Sequence, residues 1–215
     1  MTSSGSRTTR CAPPTPDPHR SLSEERVPDD GRPNPRSLSE ERSDEAKRRD
    51  VFDADPLARV RDAAAARGLD IEIRERPAAR SLAEAASGLG LQPADIVKTL
   101  VVKRPSTGSG TDSYLFALIP GDLAISWPKL RALVGVNKLR LPEPELALAA
   151  TGYERGTIVP IGSSVDWPVY ADASIVGRRI AMGAGAHGYS LFVDADALIA
   201  AYDATVADIS QPASG

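Results

Sequence analysis

Ile96-Val97-Lys98-Thr99-Leu100-Val101-Val102 is an apolar, β-branched run, and it reads as a buried strand bounded by turn signals. Arg104 to Ser113 follows as a Ser/Gly/Thr-rich loop, and Tyr114-Leu115-Phe116-Ala117-Leu118-Ile119 then supplies a hairpin partner. Two adjacent apolar strands place a sheet at the centre of the domain. Lys98 breaks the run. A buried ammonium is costly unless it is paired or faces a cavity. Either Lys98 stands at a strand end and snorkels to water, or it faces a cavity and does chemistry there.

Upstream, 55–67 is an amphipathic helix with Pro56 in its first turn and Gly68 as its stop. Asp70 to Arg74 alternates as a half-buried strand. Ser81 to Ser87 is a helix with Ser81 as N-cap and Glu84 three residues later. A second short helix starts at Pro93. Downstream, Ser126-Trp127-Pro128 opens a helix to Val134, Lys138 to Leu141 is a short strand, and Pro142 to Ala150 is a helix ended by Gly152. Strands follow near 157–160, 168–171, 178–182 and 189–193, and Asp194 caps a last helix through Tyr202. Strands outnumber helices at irregular spacing. The expectation is an α+β domain with a mixed, mostly antiparallel, curved sheet surrounded by helices, not a doubly wound fold. No dinucleotide fingerprint or P-loop is present, so no cofactor is expected.

The ordered pattern begins near Val51. Residues 1–50 are rich in proline and charge and poor in large apolar side chains, a composition that cannot offset chain entropy and reads as a disordered tail. Within it Arg20-Ser21-Leu22-Ser23-Glu24-Glu25-Arg26 recurs as Arg36-Ser37-Leu38-Ser39-Glu40-Glu41-Arg42. Each copy holds a Ser-x-x-Glu that can form a capping box on a partner, or the repeat is plain low complexity. About 160 residues remain, enough for one domain, expected over 51–211, with a single core.

A net charge of -3 gives no global pull on nucleic acid, so any RNA contact rests on a local patch, and binding to DNA is not expected. Aromatics at 5% argue against a base-stacking platform. Cys11 is the single cysteine and His19 and His187 are the two histidines, which excludes a disulfide and a thiolate- or imidazole-rich metal site. No apolar stretch reaches the roughly 20 residues of a membrane helix, and the N-terminus has no apolar signal region, so a cytoplasmic protein is expected.

Gly156-Thr157-Ile158-Val159-Pro160 places a rigid proline four residues after a glycine. Such a loop is either an ordinary turn or a set of outward amides able to hold a carbonyl oxygen. Gly183, Gly185 and Gly188 surround His187, which is either a surface residue or one that orients water or a substrate amine. Asp172 ends the segment Pro168-Val169-Tyr170-Ala171, as a turn residue or as the acidic partner of Lys98. With His187 alone in the domain and no domain cysteine, no Ser/His/Asp or Cys/His nucleophile set can be assembled.

The order of Leu89-Gly90-Leu91-Gln92-Pro93-Ala94-Asp95-Ile96-Val97-Lys98-Thr99-Leu100, the Ile119-Pro120-Gly121-Asp122 turn, Thr151-Gly152-Tyr153 before Gly156-x-x-x-Pro160, Pro168 to Asp172, the Gly183–Gly188 turn and Ala207-Asp208-Ile209 resembles the YbaK/EbsC family. These are aminoacyl-tRNA deacylases related to the editing (INS) domain of bacterial prolyl-tRNA synthetase. The resemblance covers nearly all of 55–210. It implies hydrolysis of a small non-cognate amino acid, such as Ala or Cys, from tRNA(Pro), with the tRNA 3′ end as partner and prolyl-tRNA synthetase as a further one. It implies that Lys98 anchors the terminal adenosine or its phosphate. Backbone amides of the Gly156–Pro160 loop polarise the ester carbonyl, and water attacks with help from the ribose 2′-hydroxyl. By the same likeness His187 joins the catalytic set, and Thr99, Pro160, Asp172, Gly183 and Gly185 contact substrate. That scheme suits a positive side chain and backbone donors with no protein nucleophile.

Two positions depart from the family's cysteine-specific branch. It carries a tyrosine on the first strand, where Arg74-Glu75-Arg76 stands here, and a serine opening the glycine turn, where Gly183 stands here. His187 falls near a histidine of alanine-clearing relatives. The alternative is a non-catalytic relative that binds aminoacyl-tRNA or a synthetase. It requires a blocked pocket, for which Trp127 and Trp167 are the bulky candidates.

Overall fold

A computed structural model describes residues 55–105 and 113–213. The predicted tail with its repeat, and most of the loop predicted over 104–113, lie outside the described residues. The central pair forms as the apolar runs require. β2 (Val97–Arg104) and β3 (Ser113–Pro120) are antiparallel, with Val97 opposite Pro120 and Arg104 opposite Ser113. β3 is buried on both faces. Phe116 and Leu118 enter the main core, while Leu115, Ala117 and Ile119 enter a second cluster with Leu130, Leu139 and Ile209. Side chains alternate across a strand, so two apolar sets in one strand demand cover on both sides.

β5 (Val169–Asp172) lies parallel to β3, and β8 (Thr205–Ala207) parallel to β5, giving the order β2-β3-β5-β8. A second sheet has the order β1-β7-β6, all antiparallel, from Ile71–Glu75, Tyr189–Asp194 and Arg179–Gly183. β4 (Leu123–Ile125) pairs with β9 (Ser210–Pro212). A parallel bridge between Ile96 and Ala181 joins the first two sheets at the start of β2. The arrangement is a mixed α/β fold with mostly antiparallel pairing.

Five helices cover the sheets among the described residues: α1 (Pro56–Ala66), α2 (Leu82–Leu89), α3 (Trp127–Val134), α4 (Pro144–Thr151) and α5 (Ala195–Ala201). The starts of α2 and α5 were legible from capping chemistry. The Ser81 hydroxyl accepts from the Glu84 amide at 3.1 Å, the Glu84 carboxylate accepts from the Arg80 amide at 2.8 Å, and Asp194 accepts from the Ala197 amide at 2.9 Å. None of the helices among the described residues is long and apolar enough to cross a membrane.

Three expectations change. Residues 138–141 form only one bridge, Arg140 with Lys103, because the segment meets β2 at its far end alone. Residues 157–160 are a buried loop rather than a strand: the Thr157 carbonyl is taken by the Gly185 amide, and among the described residues the segment pairs with no strand. The helix at Pro93 is a single 3₁₀ turn, Pro93–Asp95, closed by the Asp95 side chain on the Gln92 amide at 3.1 Å. The three-residue strands β4, β8 and β9 are too short to carry a periodic signal.

Candidate active site

A cavity of about 1000 Å³ opens along the start of β2, and its wall includes all five residues from Val97 to Val101. Arg76 to Leu82 and the first turns of α2 form one side. Leu141, Pro142, Pro144 and Ala147 form another, and Arg155, Gly156 and Ile158 with Ala181 to Gly183 close the third. Four of the residues singled out by sequence therefore meet: Lys98, Thr99, Gly156 and Gly183.

Lys98 is exposed rather than buried, although it is the second residue of an apolar strand. Its Nζ donates to the Gly121 carbonyl at 3.0 Å and the Leu123 carbonyl at 2.6 Å. An ammonium has three donors, so one remains for a ligand. Partial desolvation pushes the amine below the ordinary lysine pKa, and the nearby Asp122 carboxylate opposes that shift. Gly121 fits close under this turn. A Cβ there would meet Leu82 Cδ1 at 2.8 Å and the Ile96 carbonyl at 2.9 Å. The Ile119-Pro120-Gly121-Asp122 turn and Leu123 just after it thus seat the lysine by one carbonyl each.

Gly156 has φ +92, with open space where a Cβ would stand. Among the described residues, the amides of Gly156 and Ile158 have no acceptor in the chain, and both residues line the cavity. Two unsatisfied N–H groups at a cavity wall are donors in search of an oxygen. The glycine turn supports this loop from behind. A Cβ on Gly183 would lie 2.5 Å from the Thr157 carbonyl oxygen, and the Gly185 amide donates to that oxygen at 2.9 Å. Pro160 is buried at the loop's far end. Gly185 and Pro160 do not line the cavity; they back the loop that does.

Tyr153 anchors the same loop. It is 1% exposed, its hydroxyl donates to the Ile161 carbonyl at 2.9 Å, and the Arg59 guanidinium of α1 lies 4.1 Å from its ring centroid. Arg59 also donates to the Tyr153 hydroxyl at 3.3 Å and to the Gly152 carbonyl at 2.9 Å. Sequence reading used Tyr153 only as a motif letter. Its structural weight could have been suspected from a tyrosine hemmed by Gly152, Gly156 and Gly162.

Asp172 and His187 lie elsewhere. Asp172 is 3% exposed at the end of β5; one carboxylate oxygen accepts from the Ser174 amide and hydroxyl, the other from the Ile209 amide at 3.1 Å. It is the turn residue, and the partners of Lys98 are carbonyls instead. Burial alone would raise this carboxyl, but hydrogen bonds from Ser174, Ser210 and the Ile209 amide outweigh it and hold the pKa below the ordinary value. His187 Nε2 lies 2.8 Å from Glu154 Oε2, and both side chains are exposed beside a smaller cavity of about 350 Å³. Glu154 and Thr157 line that smaller cavity, whereas Arg155, Gly156 and Ile158 line the large one, so one loop separates the two.

The charged residues of the large cavity are Arg76, Arg80, Lys98 and Arg155, with no carboxylate among the lining residues. Arg76, Arg80 and Arg155 make no ion pair among the described residues, whereas Arg67, Arg74, Lys129, Arg178 and Arg179 are each paired with an acid. The three arginines were missed in the sequence. The signal was there in Arg76-Pro77-Ala78-Ala79-Arg80, two arginines around a stretch with no acid. Trp167 stacks on Tyr114 at 4.8 Å between centroids, and Trp127 packs on the second core cluster, so neither blocks the cavity. Among the described residues no group of three or more His, Cys, Asp or Glu side chains could hold a metal.

Comparison with known proteins locates this arrangement. Residues 76–201 match the aminoacyl-tRNA editing domain family. A proline–tRNA ligase of Thermotoga neapolitana is 38% identical over 103 residues, covering 48% of this chain and 16% of that protein. One from Shouchella clausii is 38% identical over 120 residues, covering 55% of this chain and 20% of that protein. The chain thus spans a fifth or less of the length of these relatives. A crystal structure described as a candidate trans-editing enzyme for prolyl-tRNA synthetase aligns with a TM-score of 0.63 at 28% identity, covering 74% of this chain and 98% of that one.

Proposed function

The chain belongs to the aminoacyl-tRNA editing domain family, and from that premise we propose that it is a trans-editing hydrolase that removes a small non-cognate amino acid from tRNA(Pro). The observation that carries this reading is the convergence of Lys98 with the unsatisfied amides of Gly156 and Ile158 on one cavity that holds no nucleophile pair. An aminoacyl ester is already activated. Holding it, polarising its carbonyl and admitting water are the tasks left to the protein.

In this reading the remaining Lys98 donor holds the terminal ribose or its phosphate. The Gly156 and Ile158 amides take the ester carbonyl oxygen as charge develops on it. Water attacks the carbonyl carbon, the bond to the ribose oxygen breaks, and the ribose hydroxyl regains a proton from that water. Arg76, Arg80 and Arg155 meet the phosphates that lead to the 3′ end. That local patch offsets the net charge of -3. His187 acts at a remove, through Glu154 on the loop. Thr99 and Gly183 shape the cavity, and Asp172 holds the C-terminal segment in place.

The cavity's remaining wall is apolar, from Leu82, Ala85, Ala147, Ile158 and Met182. Such a wall suits alanine, and the absence of a tyrosine in Arg74-Glu75-Arg76 and of a serine at Gly183 weakens the case for cysteine. The arginine patch is small, so association with prolyl-tRNA synthetase in the cytoplasm would raise tRNA occupancy. The test is a panel of tRNA(Pro) charged with Pro, Ala, Cys or Ser. Selective release of one non-cognate amino acid is expected. Release of none, with tRNA(Pro) bound at the cavity, would favour a binding role without turnover.

A further inference from the structure

Five consecutive residues of one strand line the large cavity, Val97 to Val101. Side chains alternate between the faces of a strand, so a single cavity reaches all five only at the strand's edge. That edge is open. On its outer side β2 is bridged by Ala181 opposite Ile96 and by Arg140 opposite Lys103, with no strand partner between them among the described residues.

The direction of the edge groups follows from three hydrogen bonds. The Lys103 amide and carbonyl bond to Arg140 at 2.7 and 3.2 Å, so they point away from β3. The Ile96 carbonyl accepts from the Gly121 amide at 2.6 Å, so it points toward the β3 side. Backbone groups alternate along an antiparallel strand. Thr99 and Val101 therefore share the outward direction of Lys103, and Lys98 and Leu100 face β3.

An aminoacyl group carries an amino donor and a carbonyl acceptor on one carbon, which is the pattern of a single strand residue. The cavity's ionisable wall is cationic throughout, so it offers an amine no carboxylate. A neutral acceptor must serve. Thr99 also carries a buried hydroxyl oxygen with no hydrogen-bond partner, at the same place on the edge.

We propose that the open backbone edge of β2 at Thr99 receives the aminoacyl group of the substrate as a one-residue added strand. The Thr99 carbonyl accepts from the α-amino group, and the Thr99 amide donates to the acyl carbonyl oxygen. As that oxygen becomes an oxyanion it carries three lone pairs, so the Thr99 amide joins those of Gly156 and Ile158. This rests on the editing function proposed above. It adds a recognition element for any α-amino acid that side-chain substitution leaves in place.

The test uses the full ¹⁵N-labelled chain with 3′-alanylamino-3′-deoxyadenosine, an amide that the protein cannot readily hydrolyse, and its propionyl counterpart without the amine. At saturation with the alanyl compound, exchange of the Thr99 amide should slow at least tenfold, with Lys98 and Leu100 unchanged. The propionyl compound should bind at least tenfold more weakly. If the alanyl compound shifts the Gly156 and Lys98 resonances while Thr99 exchange stays the same, or if both compounds bind equally, the edge proposal is overturned and the editing site stands. If neither compound shifts Gly156 or Lys98, the editing site falls and the edge proposal with it.

Discussion

Lys98, Gly156 and Asp172 were all picked from sequence, and the structure gives them different work. Lys98 was conspicuous because charge inside an apolar run is costly. What the run could not reveal is that its third position lines the cavity, with two carbonyls 23 and 25 residues downstream as its seat. Replacing Lys98 with Ala should lower deacylation by about 100-fold, the scale of a misplaced reacting group, with little change in thermal stability. Gly156 occupies φ +92 in open space. Gly156→Ala therefore meets only backbone strain, roughly 1–2 kcal/mol. It should cut turnover more than it lowers the melting temperature. Asp172 reads as a site residue in sequence because an acid after a strand has no local mark of its partners. Its folded pKa lies below the unfolded one, so its contribution is full above the ordinary carboxylate range and fades as pH falls through the folded value. Asp172→Asn should cost about 2 kcal/mol at neutral pH, the scale of hydrogen bonds to a charged group. The gap to wild type in denaturant melts should shrink on acidification.

At the scale of elements, the strands and helices that carried caps or clean alternation were legible, from Ser81 and Asp194 to the β2–β3 pair. The 157–160 loop misled because its burial mimics a strand. Periodicity reports burial and cannot report whether a neighbouring strand exists to pair with. The helix α1 lies before the matched region 76–201, yet Arg59 on it clamps Tyr153 and the Gly152 carbonyl beneath the Gly156 loop. Arg59→Ala should therefore lower kcat about tenfold, equivalent to roughly 1.4 kcal/mol on the barrier, with KM for aminoacyl-tRNA nearly unchanged. An equal fall in kcat and rise in KM would place α1 in tRNA binding instead.

Across the whole molecule, charge sorting was invisible in the chain total of -3. It emerged only when the fold set Arg76, Arg80 and Arg155 around one acid-free cavity and paired Arg67, Arg74, Lys129, Arg178 and Arg179 with acids elsewhere. Exchanging all three for Ala should make log K against log salt shallower by about 2 for single-stranded acceptor ends. The central claim is that the cavity hydrolyses an aminoacyl ester by positioning and carbonyl polarisation. The most direct measurement is single-turnover deacylation of Ala-tRNA(Pro) by wild type and Lys98→Ala, with tRNA affinity measured in parallel. The prediction is rapid release of alanine by wild type, loss of at least about 100-fold in the variant, and affinities within a few-fold of each other. Equal release by both proteins, or release by neither although both bind the tRNA, would contradict it.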